Sequence, residues 1–396
     1  MTHGSIIGYD INAKMCQISY YNEKTQEPET VDTGIEKENN QIPLVMNYYK
    51  ETWTYGRQAR RMSTVRDSIC VEGIWECALG NRKIEVDGQE YEGVQLLADF
   101  VKYTLNGFEE IESITFTVPE KNEDIRVLLK GIGQKLGVAK ENIYVQDYKE
   151  SFCHYMFNQP KELWQYESAL FYCDEDRIKA YMLRRLRVDA SHGMNSFVTV
   201  DEVANAQRKE LEALYPIMNK EKSPDESFKS MIENVFEKKV ISSVYLTGEG
   251  FEKNWYPNSL RVLCNGRRAF MGNNLYSKGA CYKSIRKCEP NDDGPIYLDE
   301  TKLTERICLR MRVDGQEGWY PLVTWGTHWY EADGQWEVLL EDASDIEILV
   351  ESLVDEEVQV EKVSLEGLPK RTDYSLRLQV EAMFLDERTC KLTFRD

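Results

Sequence analysis

Histidine is scarce in this sequence of 396 residues. There are four (His3, His154, His192 and His328), and no two stand at metal-ligand spacing. No Ser–His–Asp or Cys–His set can be argued from them, which sets hydrolytic triads aside. The ten cysteines, at 16, 70, 77, 153, 173, 264, 281, 288, 308 and 390, contain no Cys-x-x-Cys pair and are widely spread. A disulfide scaffold is therefore not expected, and reduced, mostly buried thiols of a cytoplasmic protein are. No stretch approaches the roughly 20 apolar residues that cross a bilayer, so no transmembrane helix is expected. Residues 1–5 have neither a basic flank nor an apolar core, and no secretory leader is read there. Positive charge is also short, with 49 basic residues against 68 acidic ones and a net charge of −19. Duplex nucleic acid and anionic membranes would be repelled on average, and neither is expected as a partner.

What is present is an ordinary globular composition, 42% hydrophobic and 30% charged, long enough for two or three domains. Residues 5–11 and 15–21 read as two strands, and Asp87-Gly88 as the two-residue turn of a short hairpin. Apolar residues at 94, 97, 101 and 105 predict a helix over 94–105. Strand 114–118, helix 123–136, strand 143–145 and helix 148–157 follow. A second cycle opens with strands at 169–173 and 178–186 around Asp174-Glu-Asp-Arg177. Residues 200–238 read as charged and helical, interrupted near Pro216 and Pro224, and residues 240–246 as a β-branched strand ending in Thr247-Gly-Glu-Gly250. This alternation argues for an α/β domain over 1–285 with helix-covered sheets. Pro290-Asn-Asp-Asp-Gly-Pro295 marks a linker over 286–299. Beyond it strands recur at short spacing, at 307–313, 320–325, 337–340, 346–352, 358–365, 375–384 and 389–394. That pattern predicts an antiparallel β-sandwich over 300–396.

Several segments, taken in order, carry a resemblance. Ile6-Ile-Gly-Tyr-Asp-Ile-Asn-Ala-Lys14 stands where a first phosphate loop belongs, followed by Ile42-Pro-Leu-Val and Trp53-Thr-Tyr-Gly-Arg-Gln-Ala-Arg60. Next come Ile114-Thr-Phe-Thr-Val-Pro119, Val244-Tyr-Leu-Thr-Gly-Glu-Gly250 at the place of an adenosine loop, and Pro295-Ile-Tyr-Leu-Asp-Glu-Thr-Lys-Leu303. Val363-Ser-Leu-Glu-Gly-Leu-Pro369 and Cys390-Lys-Leu-Thr-Phe394 close the series. The chain resembles the actin and sugar-kinase ATPase superfamily, most closely the seventy-kilodalton heat-shock chaperones of DnaK type. The resemblance covers nearly the whole chain, but order and spacing carry it rather than any one motif. It implies a two-lobed actin-like ATPase fold followed by a β-sandwich that binds substrate. A helical lid is missing after the sandwich, and the second lobe is short, which suits a divergent bacterial branch better than a housekeeping chaperone.

In that family two hairpin turns close on nucleotide phosphates, and an acid in each handles magnesium and water. The resemblance assigns those roles to Asp10 and Asp174, as catalytic and metal-binding residues. It assigns ATP or ADP contacts to Asn12, Lys14, Gly248 and Gly250. Two readings of the first turn stand side by side: an altered phosphate loop using Lys14, or a structural turn in which Asp10 caps a backbone amide. The second turn departs further, because Asp174-Glu-Asp-Arg177 has no glycine to let backbone approach a phosphate. It reads as a solvated acidic hairpin. The arginine expected beside adenine falls near Glu252. Glu150 lies where the family has an Asn-Glu-Pro-Thr motif, or is an exposed helix residue. The sandwich aromatics, including Trp319, Trp325 and Trp329, either fill a core or line a groove for an extended peptide. The leading expectation is a chaperone-like protein with a degenerate nucleotide site, magnesium nucleotide weak or lost, and a polypeptide or protein partner on the sandwich. An active ATPase and an actin-like scaffold or filament subunit are the alternatives.

Overall fold

The computed structural model describes residues 4–33, 40–174, 176–186, 196–207, 223–252, 255–288, 294–332, 334–339, 345–354, 357–365 and 377–395. Expectations resting on Glu175, on linker residues 289–293 and on 366–369 lie outside them. Chain contacts divide the protein into two compact units, residues 1–183 with 200–292, and residues 184–199 with 293–396. The sequence places its break over 286–299; the observed division falls at 292/293, and the second unit also takes in 184–199.

The first unit contains two main sheets. Strands β1 (Ser5–Ile11), β2 (Met15–Asn22), β3 (Glu27–Thr30), β4 (Ile111–Val118) and β5 (Ile143–Asp147) lie in the order β5-β4-β1-β2-β3. The β1, β2 and β3 strands form an antiparallel meander, and β4 and β5 run parallel to β1. One face of β1 and β4, bearing Ile7, Tyr9, Ile11, Ile114, Phe116 and Val118, is fully buried in a hydrophobic core. Helices α1 (Gly93–Thr104) and α2 (Glu123–Lys135) cover it with Leu97, Val101, Leu129 and Ile132. Asn122 caps α2 by accepting from the Ile125 amide at 2.9 Å, with Glu123 and Asp124 in the positive first turn. The expected turn at Asp87-Gly88 is present, both residues at positive φ. Helix α3 (Tyr148–Phe157) follows β5 directly.

The second sheet repeats this plan. Strands β6 (Glu167–Cys173), β7 (Arg177–Leu186), β8 (Phe197–Gln207), β9 (Ile241–Thr247) and β10 (Arg268–Met271) are ordered β10-β9-β6-β7-β8. Again the first two strands are an antiparallel hairpin, and the next two run parallel to its first strand. Helices α4 (Pro224–Phe236), α5 (Pro257–Leu263) and α6 (Leu275–Cys288) complete the unit. The helix expected over 200–238 is corrected in its first part: residues up to Gln207 continue β8. Buried Val200 and the core contacts of Val203, Ala204 and Ala206 hold that segment in a strand despite its charges. Residues 208–222 lie outside the described residues; beyond them a helix starts at Pro224, where Ser223 caps and proline takes the first helical position.

The polar face of β1 lies against α6. Asp10, Gln17, Ser19, Thr115 and Thr117 are buried there. Ser277 bonds Ser19 at 2.8 Å, and Ser284 bonds Thr115 at 2.7 Å.

The second unit is built from strands. Strand β11 (Ile296–Tyr297) pairs in parallel with Phe197 and Val198. Strands β12 (Glu305–Val313), β13 (Gln316–Val323), β14 (Gly334–Leu339), β15 (Asp345–Ser352), β16 (Val358–Ser364), β17 (Arg377–Asp386) and β18 (Thr389–Arg395) make two antiparallel sheets. Their orders are β13-β12-β15-β16 and β14-β17-β18. Ile307, Leu309, Ile346 and Ile348 of the first sheet share one hydrophobic cluster with Leu378, Val380 and Ala382 of the second. That is the sandwich core. The chain as a whole is a mixed α/β protein with several sheets.

Candidate functional site

The turn between β1 and β2 is held by its own side chain. Asn12 Oδ1 accepts from the amides of Lys14 at 2.8 Å and Met15 at 3.0 Å. The Asn12 amide donates to the Met15 carbonyl at 3.0 Å. The backbone donors of an Asx-type turn are thereby engaged within the turn. The capping group is Asn12 and not Asp10, which corrects the structural reading made from sequence.

The turn between β6 and β7 has the same construction. Asp174 Oδ1 accepts from the amides of Asp176 at 2.8 Å and Arg177 at 2.7 Å, and the Asp174 amide donates to Arg177 at 3.1 Å. Ile11 pairs with Cys16, and Cys173 pairs with Ile178, so one offset of 162 positions maps the first hairpin onto the second. Under that mapping Asp174 is the counterpart of Asn12, and the counterpart of Asp10 is Tyr172. Asp10 and Asp174 are therefore not a matched pair of strand-end acids. The second strand-end position holds a phenol.

Gly248 and Gly250 have a packing reason. Gly248 has φ +101°, and a Cβ on it would meet the Cys173 carbonyl oxygen at 2.1 Å. A Cβ on Gly250 would meet Cys173 Sγ at 2.2 Å. The loop lies backbone to backbone on the second hairpin, so these glycines leave no opening for a ligand between the two. The Gly248 amide is itself bonded to Asn273 Oδ1 at 2.8 Å. Between the glycines, Glu249 approaches Lys14 Nζ at 4.0 Å.

These three segments line one cavity of about 400 Å³ within the first unit. Five carboxylates border it (Asp10, Glu120, Asp174, Asp176 and Glu249) against three cations, Lys14, Arg177 and Lys179. Lys179 pairs with Glu120 at 3.0 Å and Glu202 at 3.3 Å. Asp10 has no exposed surface, and neither of its carboxyl oxygens has a hydrogen-bond partner among the described residues. Burial pushes its pKa up to about 8, and the nearby Tyr148 hydroxyl offsets this only in part. Around it sit three tyrosines far apart in sequence. Tyr148 stacks on Tyr276 with ring centroids 3.7 Å apart, and Tyr172 lies 5.7 Å from Tyr148. Sequence reasoning passed over all three. The repeat of Tyr172 at the Asp10 position was a usable signal, whereas nothing local marks Tyr276, which comes in from α6.

The donor set can be compared with a magnesium nucleotide on this geometry. Phosphate oxygens need unengaged amides, and four turn amides already donate to Asn12 and Asp174. Magnesium needs several oxygen ligands, and no group of three His, Cys, Asp or Glu residues suited to a metal occurs among the described residues. The fit is poor.

Glu150 is not an exposed helix residue, because only 8% of it is accessible. Its carboxylate meets Lys283 at 2.6 Å, Lys121 at 3.1 Å and His154 at 3.8 Å. Burial alone would raise its pKa, but Lys283 and these neighbours hold it well below the carboxylate range. Burial lowers the His154 pKa to about 4. This cluster fixes α3 to α6 through ion pairs.

In the second unit, Trp325 is withdrawn from partner binding. It is 9% exposed, packs on Phe197, Leu298 and Leu353, lies 4.3 Å from the Arg306 guanidinium, and donates to the Glu351 carbonyl at 3.1 Å. Trp329 is half-buried against the sandwich core, and Trp319 is half-buried on β13. The exposed apolar residues of this unit are spread over several strands: Leu339 is 63%, Leu385 56% and Tyr330 53% exposed, and on the edge strand β16 Val358 is 57% and Val360 55% exposed.

Comparison with known families gives two matches. A family model described as "Family of unknown function (DUF5716) C-terminal" matches residues 27–300, and one described as "Domain of unknown function (DUF8552)" matches residues 302–396. None of the curated proteins matches. The first match spans more than half of the chain, so the chain belongs to the DUF5716 family.

Proposed function

We propose that this DUF5716 family member is a chaperone-like protein of the actin and heat-shock ATPase type whose nucleotide site has degenerated, and that it binds a polypeptide partner through its β-sandwich. One observation carries the first half of the reading. Each hairpin turn commits two of its amides to a side chain of its own, Asn12 in one and Asp174 in the other. A triphosphate would have to displace those bonds and enter a cavity where carboxylates outnumber cations, each close charge pair costing about 1 kcal/mol in water and more when shielded. The repeated sheet order, a hairpin followed by two parallel strands, supports the two-lobed likeness. Titration calorimetry with magnesium ATP tests it. The expected result is no binding, or binding weaker than about 100 μM. Sub-micromolar binding lost in Asp10→Ala would favour an active ATPase instead.

The partner half of the reading rests on β16. It is the last strand of its sheet among the described residues, and its outward valines suit the addition of an extended segment by backbone pairing. Backbone pairing at one sheet edge gives modest affinity, in the micromolar range, or about −8 kcal/mol. A panel of extended apolar peptides titrated by fluorescence anisotropy checks this. Val360→Pro should remove an edge donor and abolish the signal; an unchanged isotherm would leave the sandwich as a structural module.

A further inference from the structure

The floor of the first-unit cavity contains polar groups that no described residue satisfies. The two Asp10 oxygens and the Tyr276 hydroxyl belong to residues that line it, are closed to solvent, and have no hydrogen-bond partner among the described residues. Buried polar groups are nearly always paired, so orphans gathered on one cavity call for a donor. Asp10 can only accept once ionised, and it is then a negative charge in an apolar setting. The rest of the lining adds to that bias, with four further carboxylates against three cations, and two of those cations already face Glu120 and Glu249.

We propose that this cavity binds a small organic polycation of the diamine or polyamine class, with one primary ammonium seated between Asp10 and Tyr276. A primary ammonium brings three N–H donors, which suits two carboxylate oxygens and one phenol oxygen. A quaternary ammonium brings none. A divalent metal lacks ligands, since no set of three metal-binding side chains occurs among the described residues. The stacked Tyr148 and Tyr276 rings with Tyr172 offer apolar surface to a methylene chain. A volume of about 400 Å³ lies in the range of small-ligand sites. The remaining ammonium groups meet the acidic side of the lining, at Asp174 and Asp176. Because Asp10 is fully buried, an ammonium reaches it only if a side chain of the lining moves aside.

The test is calorimetric, on the full chain, with putrescine, spermidine and magnesium chloride as separate titrants. The expected result is saturable one-site binding of spermidine, roughly tenfold or more weaker in Asp10→Asn. Tyr276→Phe keeps the ring stack and loses only the hydroxyl, so it guards against a folding defect; it should weaken binding about threefold or more. Heats in buffers of different ionisation enthalpy should also show proton release near neutral pH, as Asp10 ionises on binding. The proposal is overturned if neither amine gives a saturable isotherm. It is equally overturned if both variants bind like the parent chain, which would mean that amines gather on the acidic surface, or if magnesium saturates the site and the amines cannot displace it.

Discussion

At Asp10, burial without a partner makes the charged form expensive, and a pH dependence follows from the two pKa values. The unfolded chain releases this proton near 3.8, the folded protein only near 8. Between those values the unfolded state binds fewer protons, so stability falls as pH rises, by up to about 1.4 kcal/mol per unit. His154 acts in the opposite sense over a lower window. Its pKa drops from 6.5 to about 4 on folding, so its contribution is lost as pH falls from 6.5 towards 4. The two slopes oppose each other below pH 6.5, and above it the His154 contribution no longer changes. The expected outcome is a melting temperature that declines from pH 6.5 to 8 in the parent chain and stays level in Asp10→Asn. Asp10→Asn should also be more stable at pH 7, by about 2 kcal/mol or more. Thermal melts across that range check both. A parallel decline in the variant would mean that another group titrates.

Among the elements, the two hairpins and the loop at Gly248 form one packed assembly. Gly248 sits at φ +101°, with the Cys173 carbonyl where a Cβ would be. Gly248→Ala therefore combines a backbone conformation unsuited to L residues with a backbone clash, and should cost about 3 kcal/mol or more. Denaturant unfolding measures it. A loss below about 1 kcal/mol would show that the loop can move away from the second hairpin. The N-cap of α2 gives a milder case: Asn122→Ala removes the 2.9 Å bond to the Ile125 amide and should cost about 1 kcal/mol.

For the whole molecule, the division of the chain has a consequence for fragments. Residues 184–199 belong to the second unit, and Phe197 packs on Trp325 at a ring distance of 6.2 Å while also pairing with Ile296. A fragment over 293–396 lacks that ring and that strand pairing. It should fold less stably than a chain in which 184–199 is retained, and Trp325 should become accessible to quencher. Acrylamide quenching of the fragment against the full chain measures this. Equal protection in both would show that the cluster around Leu298 and Leu353 closes without Phe197.

Much of the element pattern could be read from the sequence by itself, because helices such as α1, α2 and α3 and the sandwich strands owe their form to local period and capping residues. Pro224 after Ser223, Asn122 before α2 and Asp87-Gly88 are short-range signals that act within a few residues. The acidic, glycine-free second turn was legible in the same way. Residues 200–207 were not, since charged residues in a strand are held there by burial of Val200 and its neighbours, a property of the partner surface. The site depended still more on tertiary structure. Asp10, Tyr148 and Tyr276 meet only because α6 returns to pack on β1 and α3, and Trp325 is buried in a cluster to which Phe197, from residues 184–199, contributes. Local preference sets where strands and helices form; which side chains lose water and which carboxyl stays without a partner is set by contacts between segments more than a hundred residues apart.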